Sequence, residues 1–362
     1  AVAMALAALD DDTLPHPRLE VILTTEEEVG MDGAMALDVS PIRGRKLLNL
    51  DSQAEGVFTV SCAGGNRTRC RLPVERETVT GEGVTVTVAG LTGGHSGVEI
   101  DKGRANADML LGRFTAAARL AVPCPVVSPS GGLKDNAIPT EAAAVLVTDG
   151  AEALSALAER WQEQLRREYA PAEPALTIRV QPAGKKSYAV MTEDSAERVL
   201  CMLLAAPNGI QAMSGTLPGL VQTSLNLGIL TTGEDAAELH FGVRSALASQ
   251  KEMLTERLTA LTRLLGGSVA VSGDYPAWEY REESPLRERM CEVYREQYGA
   301  EPQIAAIHAG LECGLLCEKL PGLDCVSTGP LLEEIHTPRE RMSVESVGRV
   351  WRFVREVLRR RR

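Results

Sequence analysis

Three adjacent carboxylates, Glu26-Glu27-Glu28, follow the apolar stretch Leu19-Glu20-Val21-Ile22-Leu23-Thr24-Thr25 and precede Val29-Gly30. Neighbouring negative charges repel, so such a cluster at a strand end is tolerated when it is solvated or when cations sit among the oxygens. A charged first turn of a helix, favoured by the macrodipole, is the simpler alternative. A further acid recurs in the same context: Lys46-Leu47-Leu48-Asn49-Leu50 is a short apolar run that ends on Asp51-Ser52. Far downstream, Leu323-Asp324-Cys325-Val326-Ser327-Thr328-Gly329 reads as a buried strand running into a loop that carries His336. Carboxylates and an imidazole delivered to strand tips are the donor types of a metal site.

Ligands in open α/β sheets gather at the carboxyl ends of strands, so the elements must bring these three tips to one crevice. Residues 1 to about 62 alternate helix and strand: an Ala-rich helix, a strand ending at Thr25, a helix near Gly33 to Val39, and a strand ending at Asp51. Val57 to Val60 and Gly83 to Ala89 alternate with period two, which predicts half-exposed antiparallel strands and the start of a different layer. Helices over Ala105–Ala121, Glu152–Tyr169 and Lys251–Leu265 and strands over Leu176–Val180, Thr223–Ile229, Glu238–Ser245 and Ser268–Ser272 suggest a βαβ-rich α+β domain. Near Pro276-Ala277-Trp278 the first pattern resumes, with helices over Pro285–Tyr298, Leu311–Lys319 and Ser343–Arg359 and strands over Gln303–Ile307 and Leu323–Ser327. The expected organisation is a catalytic domain over 1–62 and 276–362, interrupted by an inserted domain over 63–275.

At 362 residues the chain exceeds one typical domain. Hydrophobic residues make up 44% but aromatics only 4%, so the interior must be built mainly from Leu, Val and Ala. A formal net charge of −11 argues against nucleic acid as a partner. The basic run Arg359 to Arg362 follows an apparent helix, whose C-terminal dipole it complements. Eight cysteines lack the short paired spacings of a zinc finger and read as reduced, buried thiols of a cytoplasmic protein. Cys313 and Cys317 stand four apart on an apparent helix, a spacing that permits chelation but suits core packing. No apolar run reaches the roughly 18 residues of a membrane span, and no leader pattern is present. Ala1 to Leu9 reads as a helix without an initiator Met or N-cap residue, as if cut from a longer chain.

The motifs Thr24-Thr25-Glu26-Glu27-Glu28-Val29-Gly30-Met31-Asp32-Gly33-Ala34, Asn49-Leu50-Asp51-Ser52, Gly93-Gly94-His95-Ser96-Gly97, Asn136-Ala137-Ile138-Pro139, Ile307-His308-Ala309-Gly310-Leu311-Glu312-Cys313-Gly314 and Ile335-His336-Thr337-Pro338 are each weak. In this order, over nearly the whole chain, they resemble the aminoacyl-histidine (Xaa-His, or cytosol non-specific) dipeptidases, which are co-catalytic zinc metallopeptidases. The resemblance implies an α/β catalytic domain with a mostly parallel sheet and helices on both faces, plus an inserted α+β lid that joins two copies into a homodimer. It implies two Zn2+ ions, replaceable by Co2+ or Mn2+, and a dipeptide substrate.

By the same resemblance Glu27 would be the general base, its pKa raised by flanking negative charge. Glu28 and His336 would bind one zinc and Asp51 the other. His95, in its glycine-rich turn, would reach the neighbouring subunit's site and stabilise the tetrahedral oxyanion; a satisfied surface histidine is the alternative. Asn136 and Arg244 would hold the substrate's C-terminal carboxylate, a task suited to a bidentate Arg, which otherwise reads as an exposed strand charge. His308 and Glu312 sit at a strand-to-helix junction, where they either line the substrate pocket or cap the helix. His16 and His240 have no supporting context.

The family's upstream His-x-Asp pair and metal-bridging Asp have no counterpart here, since His16-Pro17-Arg18 carries no aspartate two places on. Two ligands for one zinc and one for the other predict loose metal binding, and lost strands predict an exposed apolar face. A truncated or degenerate non-catalytic homologue is the second reading. A related zinc carboxypeptidase or N-acyl-amino-acid deacylase is the third.

Overall fold

A computed structural model of the chain describes residues 1–335 and 337–360, with Glu28 and Val29 described in backbone only. His336 and the side chain of Glu28 therefore lie outside the described residues. The chain divides into two compact units, Ala1–Gly64 with Tyr275–Arg362 and Gly65–Asp274.

The first unit is built on a four-stranded sheet in the order Lys46–Asn49, Asp324–Ser327, Val57–Cys62, Gln303–Ile307. The outer pairings are parallel, and the middle strands meet antiparallel at Ser327 and Thr59. Val57–Cys62 is thus an interior, mostly buried strand of this unit, not the half-exposed antiparallel strand that its alternation predicts. Interior placement covers both faces, so even Thr59 and Ser61 are buried. Helix Pro285–Tyr298 starts where the Ser284 side chain accepts from the Arg287 N–H, has Pro285 in its first turn, and stops at Gly299 in the left-handed region (φ 66°). Helix Val344–Arg359 is capped likewise by Ser343. The two helices share a core with Val60, Val326 and Phe58, whose ring stacks on Phe353 at 5.4 Å and meets Tyr294 edge-on at 5.7 Å. Each such ring pair adds roughly 0.5–1.5 kcal/mol beyond its buried area.

The strand expected to end at Thr25 does not form: residues 18–24 are without regular structure. A strand needs a ladder, and propensity cannot supply the partner. Here the segment is anchored by Glu20, whose carboxylate accepts from the Arg43 and Gly44 N–H groups at 2.9 and 2.7 Å. Beside it, helix Val2–Asp10 buries Met4 and Ala8 and leaves Val2, Leu6 and Leu9 exposed. A cavity of about 490 Å³ lined by Met4, Leu19, Val21, Leu47 and Leu316 opens there, and no candidate site residue lines it.

The second unit carries a nine-stranded sheet. One end of it runs Val126–Gly131, Ala142–Val147, Arg76–Ala89, Thr177–Met191, each antiparallel to the next, with Thr177–Met191 at the edge. Helix Ala107–Ala121 and helix Ala151–Glu168 therefore each join two parallel strands that are separated by one antiparallel neighbour, a split form of the expected βαβ units. Val221–Thr232 pairs antiparallel with Ala236–Ser245. The core packs Leu110, Leu111 and Phe114 of the first helix against Val86, Ala144 and Leu146 of the sheet. Asp108, on the same helix, is fully buried, and neither carboxylate oxygen has a hydrogen-bond partner among the described residues. Burial holds its carboxyl well above the ordinary carboxylate range.

Candidate active-site residues

In the first unit Glu27 opens the short helix Glu27–Gly30 and is half-buried. Of the two readings of the acidic run, the short helix realises the acidic first turn, with Glu26 turning into it in the left-handed region (φ 61°) and Met31 leaving it there (φ 63°). Among the described residues the only other non-glycine residue with positive φ is Glu334 (φ 53°), two positions before His336. Left-handed backbone costs a non-glycine residue roughly 1–2 kcal/mol. The turn is held from behind: the Gly33 N–H donates to the Thr25 carbonyl, and a Cβ on Gly33 would stand 2.4 Å from that oxygen. Met31 and Ala34 pack on Leu315 of helix Glu312–Lys319.

That helix begins with Glu312, whose Oε2 accepts from the Thr24 hydroxyl at 2.8 Å, while Oε1 is buried without a hydrogen-bond partner among the described residues. Glu312 is therefore tied to the segment preceding Glu27 and does not cap its own helix, where Leu311 takes the cap position without a side-chain bond. His308 is buried just past strand Gln303–Ile307.

Asp51 follows strand Lys46–Asn49 and is exposed, its N–H donating to Asn49 Oδ1 at 2.9 Å. Asn49 faces Ser327 in parallel register and accepts its hydroxyl at 2.6 Å; Ser327 Oγ also lies 2.7 Å from Ser52 Oγ. Beyond the sheet, the Thr328 N–H donates to the Asn49 carbonyl and the Leu332 N–H to the Gln53 carbonyl. Gly329 makes this approach possible, since a Cβ there would lie 1.7 Å from the Ser52 carbonyl oxygen. The chain leading toward residue 336 is thus laid against the turn that carries Asp51.

In the second unit, His95, Asn136 and Arg244 come together. His95 pairs with Ala137 in a two-residue ladder, and the Ser96 N–H donates to the Asn136 carbonyl at 2.9 Å. The His95 Nδ1 accepts from the Gly97 and Val98 N–H groups, each at 3.1 Å, which places the ring proton on Nε2. Burial, then the Arg244 charge, hold the His95 pKa below its usual value, against a smaller opposing pull from Glu99. Glu99 Oε2 accepts from the His95 N–H at 2.9 Å and pairs through Oε1 with Arg104. The turn requires glycine at 94 (φ 137°), where a Cβ would meet Arg104 at 2.0 Å. Arg244 sits opposite Ser224 and shares a sheet face with Asn226, which lies opposite Gly242 and donates to the Ala137 carbonyl at 2.9 Å.

Among the described residues no three His, Cys, Asp or Glu side chains stand together as a metal ion would require. Of the three expected ligands only Asp51 has a described side chain, so the described donors do not by themselves fit a metal. Sequence reasoning missed Thr24, Glu99 and Asn226. Asn226 had a signal, being a polar, strand-disfavouring residue inside an apolar strand; Thr24 was visible only as the first residue of the acidic motif, with no role attached to it.

Residues 1–360 match the model of peptidase family M20/M25/M40. The chain is 37% identical to the cytosol non-specific dipeptidase of Escherichia coli (strain K12) over 361 residues, covering 99% of this chain and 74% of that protein. The crystal structure of aminoacylhistidine dipeptidase from Vibrio alginolyticus superposes with a TM-score of 0.94 at 33% identity, over 99% of this chain and 74% of that one. A tripeptidase from Staphylococcus aureus shares the fold alone, with a TM-score of 0.50 at 14% identity over 98% of this chain and 67% of that one. No described helix is long and apolar enough to cross a membrane. On the strength of its match along almost its whole length, the chain belongs to peptidase family M20/M25/M40.

Proposed function

We propose that this chain is the greater part of a metal-dependent dipeptidase that cleaves Xaa-His and related dipeptides. Glu27 serves as general base, accepting a proton from the attacking water and passing it to the leaving amine. Glu28, Asp51 and His336 are the ligands this chain contributes to a dinuclear zinc centre. His95 donates Nε2–H to the tetrahedral oxyanion, while Asn136 and Arg244 hold the substrate's C-terminal carboxylate. His308 and Glu312 line the pocket beside Glu27. Two copies associate through the 65–274 unit, and the protein works in the cytoplasm, as the name of the Escherichia coli relative suggests for that protein.

The observation that carries this reading is the backbone. All three non-glycine residues with positive φ among the described residues, Glu26, Met31 and Glu334, border the stretches that hold Glu27, Glu28 and His336. Strain of this kind persists where the surroundings enforce it, and it collects at functional sites. The Glu312 oxygen that has no partner among the described residues, on the carboxylate bonded to Thr24, supports the same location.

The test is zinc stoichiometry together with hydrolysis of a histidine-containing dipeptide, on this chain and on a form extended at its N-terminus to the length of the relatives. Two zincs and turnover in the extended form support the proposal. Neither metal nor turnover in either form would sink it in favour of a non-catalytic homologue.

A further inference from the structure

Four of the eight cysteines converge in the first unit. Cys313 and Cys317 share one face of helix Glu312–Lys319, Cys325 lies on strand Asp324–Ser327, and Cys62 ends strand Val57–Cys62. With Trp278 they form a single apolar cluster, and all are free thiols. The Cys325 thiol packs in this cluster near those of both Cys313 and Cys317. Only Cys317 is half-exposed, the other three being buried. These thiols do not make a metal site, since no described group of three donors is placed to hold an ion.

We propose that Cys317 and Cys325 are a peroxide-reactive thiol pair, Cys317 the thiol attacked first and Cys325 the one that resolves it into a disulfide. Accessibility singles out Cys317, and its electrostatics agree. The neighbouring Cys325 thiol and, less strongly, the Arg281 guanidinium hold its thiol below the ordinary range, against burial and Asp324. Arg281 is fixed nearby by its bond to the Gly322 carbonyl at 3.1 Å. Burial pushes Cys62 up to about 12 and Cys325 well up, so neither offers a thiolate. The Cys317 thiolate attacks one oxygen of hydrogen peroxide; an S–O bond forms, the O–O bond breaks, and hydroxide leaves to become water. Cys325 sulfur then attacks Cys317 sulfur, the S–O bond breaks, and a second water departs with the Cys325 proton. Two thiols lose two electrons and one peroxide becomes two waters. The disulfide would tie the helix that begins with Glu312 to the strand whose continuation lies against the Asp51 turn.

Peptide mapping by mass spectrometry after stoichiometric hydrogen peroxide tests this on the whole chain. The expected product is a Cys317–Cys325 crosslink lighter by two hydrogens, with Cys317 in the untreated chain alkylated about tenfold faster than Cys62 or Cys313. Cys325→Ser should leave Cys317 as a sulfenic acid captured by dimedone, and Cys313→Ser should leave the crosslink intact. A crosslink to Cys313 instead, or oxidation confined to the exposed Cys201 while Cys317 stays reduced, would overturn the proposal; both are read on the unmutated chain.

Discussion

The Thr24 hydroxyl donates to the Glu312 carboxylate at 2.8 Å across 288 residues of sequence, tying the segment that leads into Glu27 to the first turn of helix Glu312–Lys319. The other Glu312 oxygen is buried and unpartnered among the described residues, so this bond is its main compensation. Thr24→Val keeps the shape and strips the donor, and should cost roughly 1–3 kcal/mol in urea unfolding, the usual range for uncovering a buried acceptor. Thr24→Ser should recover most of it. Equal stability of all three proteins would mean the bond contributes nothing.

Glu27→Gln in the N-terminally extended form should lower kcat on a histidine-containing dipeptide by at least about 10²-fold with metal content unchanged. Retained turnover would refute the base assignment, and loss of metal together with turnover would transfer Glu27 from base to ligand.

Glu26→Gly should not destabilise the chain. Glycine adopts φ 61° freely, which offsets its greater entropy in the unfolded state, so a gain of up to about 1 kcal/mol is expected. If the strained turn aims Glu27, turnover of the extended form should fall while stability holds; a parallel loss of both would show that the turn is not strained.

His95 has a folded pKa below its usual 6.5, so as pH falls past that value the unfolded chain takes up the proton first. Stability should therefore erode below about pH 6.5 and be unaffected by this group above it. His95→Gln should flatten the fall in urea midpoint between about pH 7 and pH 5. In the extended form it should lower kcat more than it raises KM, because an oxyanion contact acts in the transition state.

Asp108 has the opposite effect. Its folded pKa lies above the ordinary 3.8, so below that pH both states hold the proton and nothing is lost. As pH rises beyond it, the unfolded chain ionises first and stability falls. Asp108→Asn should raise stability by roughly 1–3 kcal/mol near pH 7, with the advantage shrinking toward pH 4. A constant advantage at both pH values would point to packing rather than ionisation.

Local signals were legible in the sequence alone. Ser284-Pro285 before a helical period and Gly299 after it bound helix Pro285–Tyr298 because caps and breakers act on the nearest turn, and strand Gln303–Ile307 was equally plain. The motif order carrying Glu27, Asp51, His95 and Asn136 was also visible, and with it the family. Tertiary structure decided what depends on distant partners. Leu19 to Thr25 has strand composition but no ladder, and Val57–Cys62 alternates like a half-exposed strand yet lies inside a sheet. Neither outcome is encoded within the segment, because pairing and burial belong to the neighbours. For the same reason only the fold could set Thr24 against Glu312, Asn49 in register with Ser327, and Arg244 close enough to His95 for its charge to be felt there.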